Sequence, residues 1–195
     1  MKESEITHPA VTTVYLARHG RTALNAEDRM RGLSDPPLDE VGVAEAARLA
    51  AVLGPTRPVA VISSPLKRAV ATAQSIADAA GIAATVDDRL NDRDYGPHTG
   101  AKRADVIAHY GSIDNAPGVE PLAAVRQRAV SAFTELVAEY DSGPLVLVSH
   151  DAFNRALLSQ LDPTLIDAPQ RTACWNQLSV VDGTWRVDVY DQKPE

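Results

Sequence analysis

Short apolar runs alternate along the chain with stretches whose apolar residues recur at helical spacing. Residues 11–17, Val-Thr-Thr-Val-Tyr-Leu-Ala, read as a strand rich in β-branched side chains. Residues 22–38 are polar and rich in Pro and Asp, and read as a loop over the sheet edge. A helix is expected from Asp39 to about Leu53: Val41, Ala44, Leu49 and Val52 lie near helical spacing and Gly54-Pro55 stops it. Residues 59–62 form a short buried strand. Ser63-Ser64-Pro65 reads as a cap with proline in the first turn of a helix that runs to Ala80 and ends at Gly81. Residues 82–86 are a third strand candidate, and 91–100 an irregular polar loop. Helices are expected over about 102–109 and 121–140, separated by the turn-rich Gly111–Gly118 segment. Leu145-Val-Leu-Val148 is the clearest buried strand, being continuous and bounded by Gly143-Pro144 and Ser149. A helix from Asp151 to about Gln160 follows. Two alternating runs, 173–181 and 184–190, flank Asp182-Gly183, a strong hairpin signal.

Alternating strands and helices predict an α/β fold. The 195 residues suit one domain spanning 1–195, with a short insertion at about 97–120 as a lid. Hydrophobic residues make up 45%, which implies a packed core. The net charge of −7 disfavours broad electrostatic binding to nucleic acid or to an anionic membrane. An anionic substrate then needs a local basic cluster working against the overall field. The single cysteine, Cys174, excludes an internal disulfide and fits a reducing compartment. It is a nucleophile or a small apolar filler, and its neighbours favour filler. The leader, which carries His8, shows no apolar secretory core. No window approaches 18 consecutive apolar residues, so no membrane span and a cytoplasmic location are expected.

The chemistry concentrates where strands end. Arg18-His19-Gly20-Arg21 closes the first strand, and ligands of open α/β sheets bind at the carboxyl ends of strands. Arginine suits bidentate phosphate binding, and histidine is readily recruited as nucleophile or proton carrier. An isolated Arg-His pair more often merely solvates a loop. Arg68 lies in the first turns of the helix after the second strand, however, and His150 follows the buried strand at 145–148. If these strands are parallel neighbours, Arg18, His19, Arg68 and His150 meet on one rim with helix N-termini. That rim suits a phosphate of about −1.5 to −2 charges. No cluster of His and Cys has zinc-ligand spacing.

Five segments then carry a resemblance. Leu16-Ala-Arg-His-Gly-Arg-Thr-Ala-Leu-Asn25, Arg31-Gly-Leu-Ser-Asp-Pro-Pro-Leu-Asp-Glu-Val-Gly42, Ser63-Ser-Pro-Leu-Lys-Arg-Ala-Val-Ala-Thr-Ala73, Arg89-Leu-Asn-Asp-Arg-Asp-Tyr-Gly96 and Val148-Ser-His-Asp151 resemble, in order, the motifs of the histidine phosphatase superfamily, the phosphoglycerate-mutase-like proteins. The resemblance implies a three-layer, open, mostly parallel sheet flanked by helices, here with a C-terminal edge hairpin. It implies a phosphomonoesterase of the phosphatase branch, acting on a small phosphorylated metabolite through a phosphohistidine, without metal or cofactor. His19 takes the nucleophile position. Arg18, Arg68 and His150 take the phosphate-holding positions, Asn25 that of a neutral donor, and Asp92 that of the acid that protonates the leaving alcohol.

This chain departs from the family pattern in places. The acid is Asp92 where many relatives have Glu, and Asp94 is its rival. His98 stands where relatives often carry an aromatic residue; it contacts substrate or faces solvent. Ala71 replaces a common glutamine. Thr22 donates to the phosphate or caps a turn. Arg21 binds a second substrate anion or lies on the surface. His109 reads as a structural or surface residue. A mutase is the rival activity, and it needs a closed lid to protect the phosphohistidine. The short Gly100–Glu120 segment points to hydrolysis instead. A silent phospho-ligand-binding module is the third reading. The edge hairpin at 173–190 is compatible with a homodimer.

Overall fold

The computed structural model describes residues 11–195. His8 and the leader lie outside the described residues.

The chain opens on β1 (Thr13–Arg18). The long loop that follows carries a short helix, α1 (Ala23–Ala26), and leads into α2 (Glu40–Leu53). Next come β2 (Ala60–Ser63), α3 (Lys67–Ala80) and the short β3 (Ala84–Val86). An irregular region follows, containing α4 (Arg103–Tyr110). Then α5 (Leu122–Ala138), β4 (Leu145–Ser149) and α6 (Asp151–Leu161) lead to the hairpin β5 (Trp175–Val181) and β6 (Thr184–Gln192).

The sheet runs β3-β2-β4-β1-β5-β6. β3, β2, β4 and β1 are parallel, and β5 and β6 are antiparallel. The hairpin forms the sheet edge, as expected. Its turn residues Asp182 and Gly183 have φ of 51° and 74°, the left-handed values that a type I′ hairpin requires.

The apolar runs of β1 and β4 are explained by burial on both faces. Val14, Leu16, Leu145 and Leu147 pack with α5 and α6 in one cluster. Ala17, Val146 and Val148 pack with α2 and α3 in the other. These are the outer layers of a helix–sheet–helix sandwich. Leu147 has no exposed surface, so truncating it to Ala is expected to cost about 2–5 kcal/mol.

A third cluster, Met30, Tyr95, Val106, Ile113 and Ala116, ties the 22–38 loop to the segment around α4. Backbone bonds reinforce it: Met30 N–H donates to Ala101 O at 2.9 Å and Gly100 N–H to Met30 O at 2.7 Å. The loop over the sheet edge and the expected lid segment are therefore joined to each other. Among the described residues no helix is long and apolar enough to cross a membrane.

Candidate active site

The parallel order β2-β4-β1 brings three strand ends side by side. Arg18 closes β1, His19 follows it, His150 follows β4, and Arg68 sits in the first turn of α3 after β2. All four side chains are buried: His19, Arg68 and His150 are 0% exposed and Arg18 is 8% exposed.

Three backbone bonds fix the histidine loop. His19 N–H donates to Ser149 O of β4 at 3.2 Å. Gly20 N–H donates to Thr72 Oγ1 of α3 at 3.1 Å, and Arg21 N–H to Glu45 Oε2 of α2 at 2.8 Å. The loop also abuts the first turn of α2 so closely that only glycine fits on either side. A Cβ on Gly20 would lie 2.5 Å from Gly42 O, and one on Gly42 would lie 2.0 Å from Arg21 O.

His19 Nδ1 lies 2.7 Å from Gly20 O. A carbonyl can only accept, so Nδ1 carries the hydrogen and Nε2 keeps its lone pair. Nε2 is buried and has no hydrogen-bond partner. Burial holds the His19 pKa well below its ordinary value, reinforced by His150, Arg68 and Arg18. His150 is lowered likewise, by burial first and then by Arg68 and Arg18. The two rings lie 5.1 Å apart between centroids. The Nε atoms of Arg18 and Arg68 and Nδ1 of His150 are also buried without partners. Buried polar atoms are seldom left unpaired, so this concentration marks a place for an anion.

Asp92 belongs to the same cluster. Its Oδ2 lies 3.1 Å from Arg68 Nη2 and 3.7 Å from His150 Nδ1, and Oδ1 accepts from Arg93 N–H at 2.8 Å. Its rival Asp94 is exposed, and its carboxylate accepts from Gly96 N–H at 2.8 Å, bracing a turn.

Other predicted residues are placed differently. Thr22 caps α1: its hydroxyl donates to Asn25 Oδ1 at 2.8 Å and accepts from Asn25 N–H. That capping box uses Asn25 Oδ1 and leaves its amide nitrogen as the donor for a ligand. Arg21 Nε is held by Asp39 Oδ2 at 2.8 Å. His98 Nε2 lies 3.1 Å from Pro117 O and its ring stacks edge-on against Tyr110. The structure thus gives Thr22, Arg21 and His98 local partners outside the His19 cluster. Cys174 is fully buried, and burial pushes its thiol pKa up, as suits an apolar filler. Among the described residues no group of three or more His, Cys, Asp and Glu is arranged for a metal ion.

Sequence reasoning missed several residues at this site. Ser64 was expected to cap α3, but the helix begins at Lys67 with Leu66 as N-cap. The Ser64 hydroxyl accepts from Leu66 N–H at 3.2 Å, just ahead of the helix, and also meets His150 Nε2 at 2.7 Å, which turns Nδ1 toward Asp92. Proline at 65 keeps the backbone extended long enough to place that hydroxyl. Arg31 is a third guanidinium near the cluster: burial and then Arg18 lower its pKa, and its Nε is buried without a partner. Gln170 accepts from the Arg18 guanidinium through its carbonyl oxygen. Arg128 donates to the carbonyls of Asn91 and Asp92 at 2.8 and 2.9 Å and so holds the acid's backbone. The loop over the sheet edge has a further role, since Arg68 donates to Gly32 O and Ser34 O at 2.8 and 2.7 Å.

Comparison with known proteins agrees with this geometry. Residues 14–193 match the model of the histidine phosphatase superfamily, branch 1. A glucosyl-3-phosphoglycerate phosphatase of Mycolicibacterium vanbaalenii is 30% identical, over 93% of this chain and 95% of its own. A 2,3-bisphosphoglycerate-dependent phosphoglycerate mutase 2 of Gloeobacter violaceus is 34% identical, over 75% and 74%. The solved structure of a mycobacterial glucosyl-3-phosphoglycerate phosphatase with VO3 superposes with a TM-score of 0.81 at 29% identity, over 94% of this chain and all of that one. With a family model spanning nearly the whole chain, and a buried His-Arg-His-Arg cluster at the ends of its parallel strands, this protein belongs to the histidine phosphatase superfamily.

Proposed function

We propose that the protein hydrolyses a small phosphomonoester through a phosphohistidine on His19, without a metal ion. The observation that carries this reading is the His19 ring: Nδ1–H is held by Gly20 O, and Nε2 is buried without a partner 5.1 Å, ring to ring, from His150, with nitrogens of Arg18, Arg68 and His150 likewise buried and unpartnered.

In the first half-reaction the Nε2 lone pair attacks phosphorus and the P–O bond to the leaving alcohol breaks. Asp92, entering with its carboxyl protonated, gives that proton to the departing oxygen. Arg18, Arg68 and His150 hold the phosphoryl oxygens, and charge stabilisation and positioning account for most of the catalysis. In the second half, Asp92 takes a proton from water as the water attacks phosphorus. The N–P bond breaks, inorganic phosphate leaves, and His19 is restored. Phosphate oxygens arriving at Arg68 replace part of its pairing with Asp92, which frees the carboxyl to turn to the leaving group. Relatives named as phosphatases at 30% identity over most of the chain support hydrolysis. The mutase relative supports a second reading, transfer of the phosphoryl group back to a bound glycerate.

The test is phosphate release from p-nitrophenyl phosphate and a panel of small phosphate esters, in the presence of a chelator, by wild type and His19→Ala. Release that disappears in the variant supports the proposal. Stimulation by a bisphosphorylated glycerate with little net phosphate release indicates a mutase. Failure to form an acid-labile phosphoenzyme indicates a silent binding module.

A further inference from the structure

The acid of the proposed reaction has a short arm. A single methylene joins the Asp92 carboxyl to the backbone, so its reach is set by where the main chain is held. Arg68 and the Arg93 N–H meet its oxygens at 3.1 and 2.8 Å, contacts that orient the carboxyl. The main chain itself is held by Arg128 of α5.

The Arg128 guanidinium is committed along both edges. Nη1 donates to Asn91 O at 2.8 Å and Nη2 to Asp92 O at 2.9 Å. Nε and Nη2 donate to the Glu120 carboxylate at 2.7 and 3.1 Å. The cation also lies over the Phe153 ring of α6, 5.9 Å from its centre. A planar fork can serve a carboxylate and two carbonyls at once, whereas an ammonium is a point charge without that geometry.

Glu120 ends the 97–120 segment and ties it to the acid. Its Oε2 accepts from Asp94 N–H at 3.1 Å, and its own N–H donates to Asp94 O at 2.8 Å. Its carbonyl accepts from Arg93 Nε at 2.8 Å. Burial acts to raise the Glu120 pKa, but Arg128 and the Asp94 N–H outweigh it and hold it below the ordinary value. Arg93 reaches further back along the segment, to Asp114 Oδ1 at 2.7 Å. Gly96 and Gly118 meet backbone to backbone: a Cβ on Gly96 would lie 2.3 Å from Gly118 O. Residues 91–96 and 114–120 are thus cross-linked, with Asp92 among the links. Among the described residues neither Glu120 nor Arg128 bonds to Arg18, His19, Arg68 or His150.

From these bonds we infer that the Glu120–Arg128 pair positions the general acid: it sets the main chain at Asp92 so that the carboxyl proton reaches the ester oxygen as the P–O bond breaks. The phosphate grip of Arg18, Arg68 and His150 does not depend on it. Both are positioning residues, since neither touches the reacting atoms. The inference rests on the proposed phosphatase reading and adds two residues to it.

The readout is leaving-group dependence. p-Nitrophenyl phosphate releases a stable phenolate that needs no proton, whereas the alcohol of glycerol 3-phosphate must receive one. Values of kcat/KM, which report the steps up to the phosphohistidine, are compared for these two esters, with phenyl phosphate between them. Calorimetry measures the affinity for inorganic phosphate. A shift of about 1 Å in a catalytic group can cost about 10²-fold. Arg128→Met and Glu120→Gln are therefore expected to lower kcat/KM for glycerol 3-phosphate by about 10- to 100-fold, and for p-nitrophenyl phosphate by less than about threefold. Phosphate affinity should change by less than about twofold, a loss too small for a collapsed pocket. Arg128→Lys keeps the charge without the fork and should show the same selectivity, which covers the case of an Arg128→Met chain that does not fold. In an Asp92→Asn background the same substitutions should cost glycerol 3-phosphate less than about twofold, because the proton they position is gone. The control Glu135→Gln, which breaks another ion pair of α5, keeps the wild-type ratio between the esters. A ratio that the Arg128 and Glu120 variants leave unchanged, or losses that persist in full in the Asp92→Asn background, overturn the inference and leave the phosphatase reading standing. A wild type that binds phosphate and turns over neither ester removes the phosphatase reading, and the inference with it.

Discussion

His19 and His150 are fully buried, and both are held neutral by burial and the surrounding arginines. An unfolded histidine takes up a proton near pH 6.5, but these two resist it until the pH is well below that value. Below about pH 6.5 the unfolded chain therefore binds more protons than the native one, and stability rises with pH across that window. The contribution is complete above about 6.5 and is lost as the pH falls toward the depressed native values. Each histidine removes about 1.4 kcal/mol per pH unit in this range, so the pair removes about 2.7 kcal/mol per unit. That is a large part of a typical total of about 5–15 kcal/mol. The measurement is urea unfolding at several pH values from about 7 to 5, in buffers free of phosphate and sulfate, for wild type and a His19→Gln/His150→Gln variant. Wild type is expected to lose stability more steeply than the variant, by about 2–3 kcal/mol per pH unit. Parallel pH dependences in the two proteins would refute the reasoning, because the buried rings would then not be the groups refusing protons.

Four further outcomes follow from the geometry. Asp92→Asn should lower kcat for alkyl phosphates by about 10²–10³ and for p-nitrophenyl phosphate, whose phenolate departs easily, far less; equal losses would remove Asp92 from the proton-donor role. Arg68→Met strands a buried carboxylate and should cost about 3–5 kcal/mol in chemical denaturation, with part recovered in Arg68→Met/Asp92→Asn. Gly42→Ala drives a methyl group into Arg21 O, so a loss of at least about 1–3 kcal/mol and a fall in kcat are expected together; a variant normal in both would show that this contact does not hold the histidine loop. Ser64→Ala frees His150 Nε2 and should cost about 1 kcal/mol of stability and shift the pH profile of kcat, with Ser64→Thr restoring part of both.

Much of this was legible in the chain. The continuous apolar runs of β1 and β4 announce strands covered on both faces, and the Arg-His pair and His150 stand where those runs end. Asp182-Gly183 announces its turn by composition alone. What was not legible depends on contacts between segments distant in sequence. Ser64 follows a strand and precedes a proline, a pattern that reads as a cap; its hydroxyl does accept Leu66 N–H, but only the adjacency of β2 and β4 gives it a histidine as well. Arg31 lies in an aperiodic loop that carries no signal of direction, and its place near Arg18 depends on Arg68 drawing in the carbonyls of Gly32 and Ser34. Thr22 was ambiguous because its hydroxyl suits a cap or a phosphate equally, and Asn25 three residues on decides for the cap. Gln170 contributes a main-chain carbonyl, which no side-chain motif can reveal.

The position of β1 in the sheet bears on how the molecule is made. Val14 pairs with Leu145 on one side and Leu178 on the other, so the first of the described strands is completed in the sheet only by segments far along the chain. Its packing partners in α2 and α3 come earlier than its sheet partners, which gives β1 a topology of high contact order. Arg18 takes its hydrogen-bond acceptor from Gln170 and its strand neighbour from β5, both far along the sequence, so that guanidinium is fully seated only when the distant end of the chain has folded back onto β1.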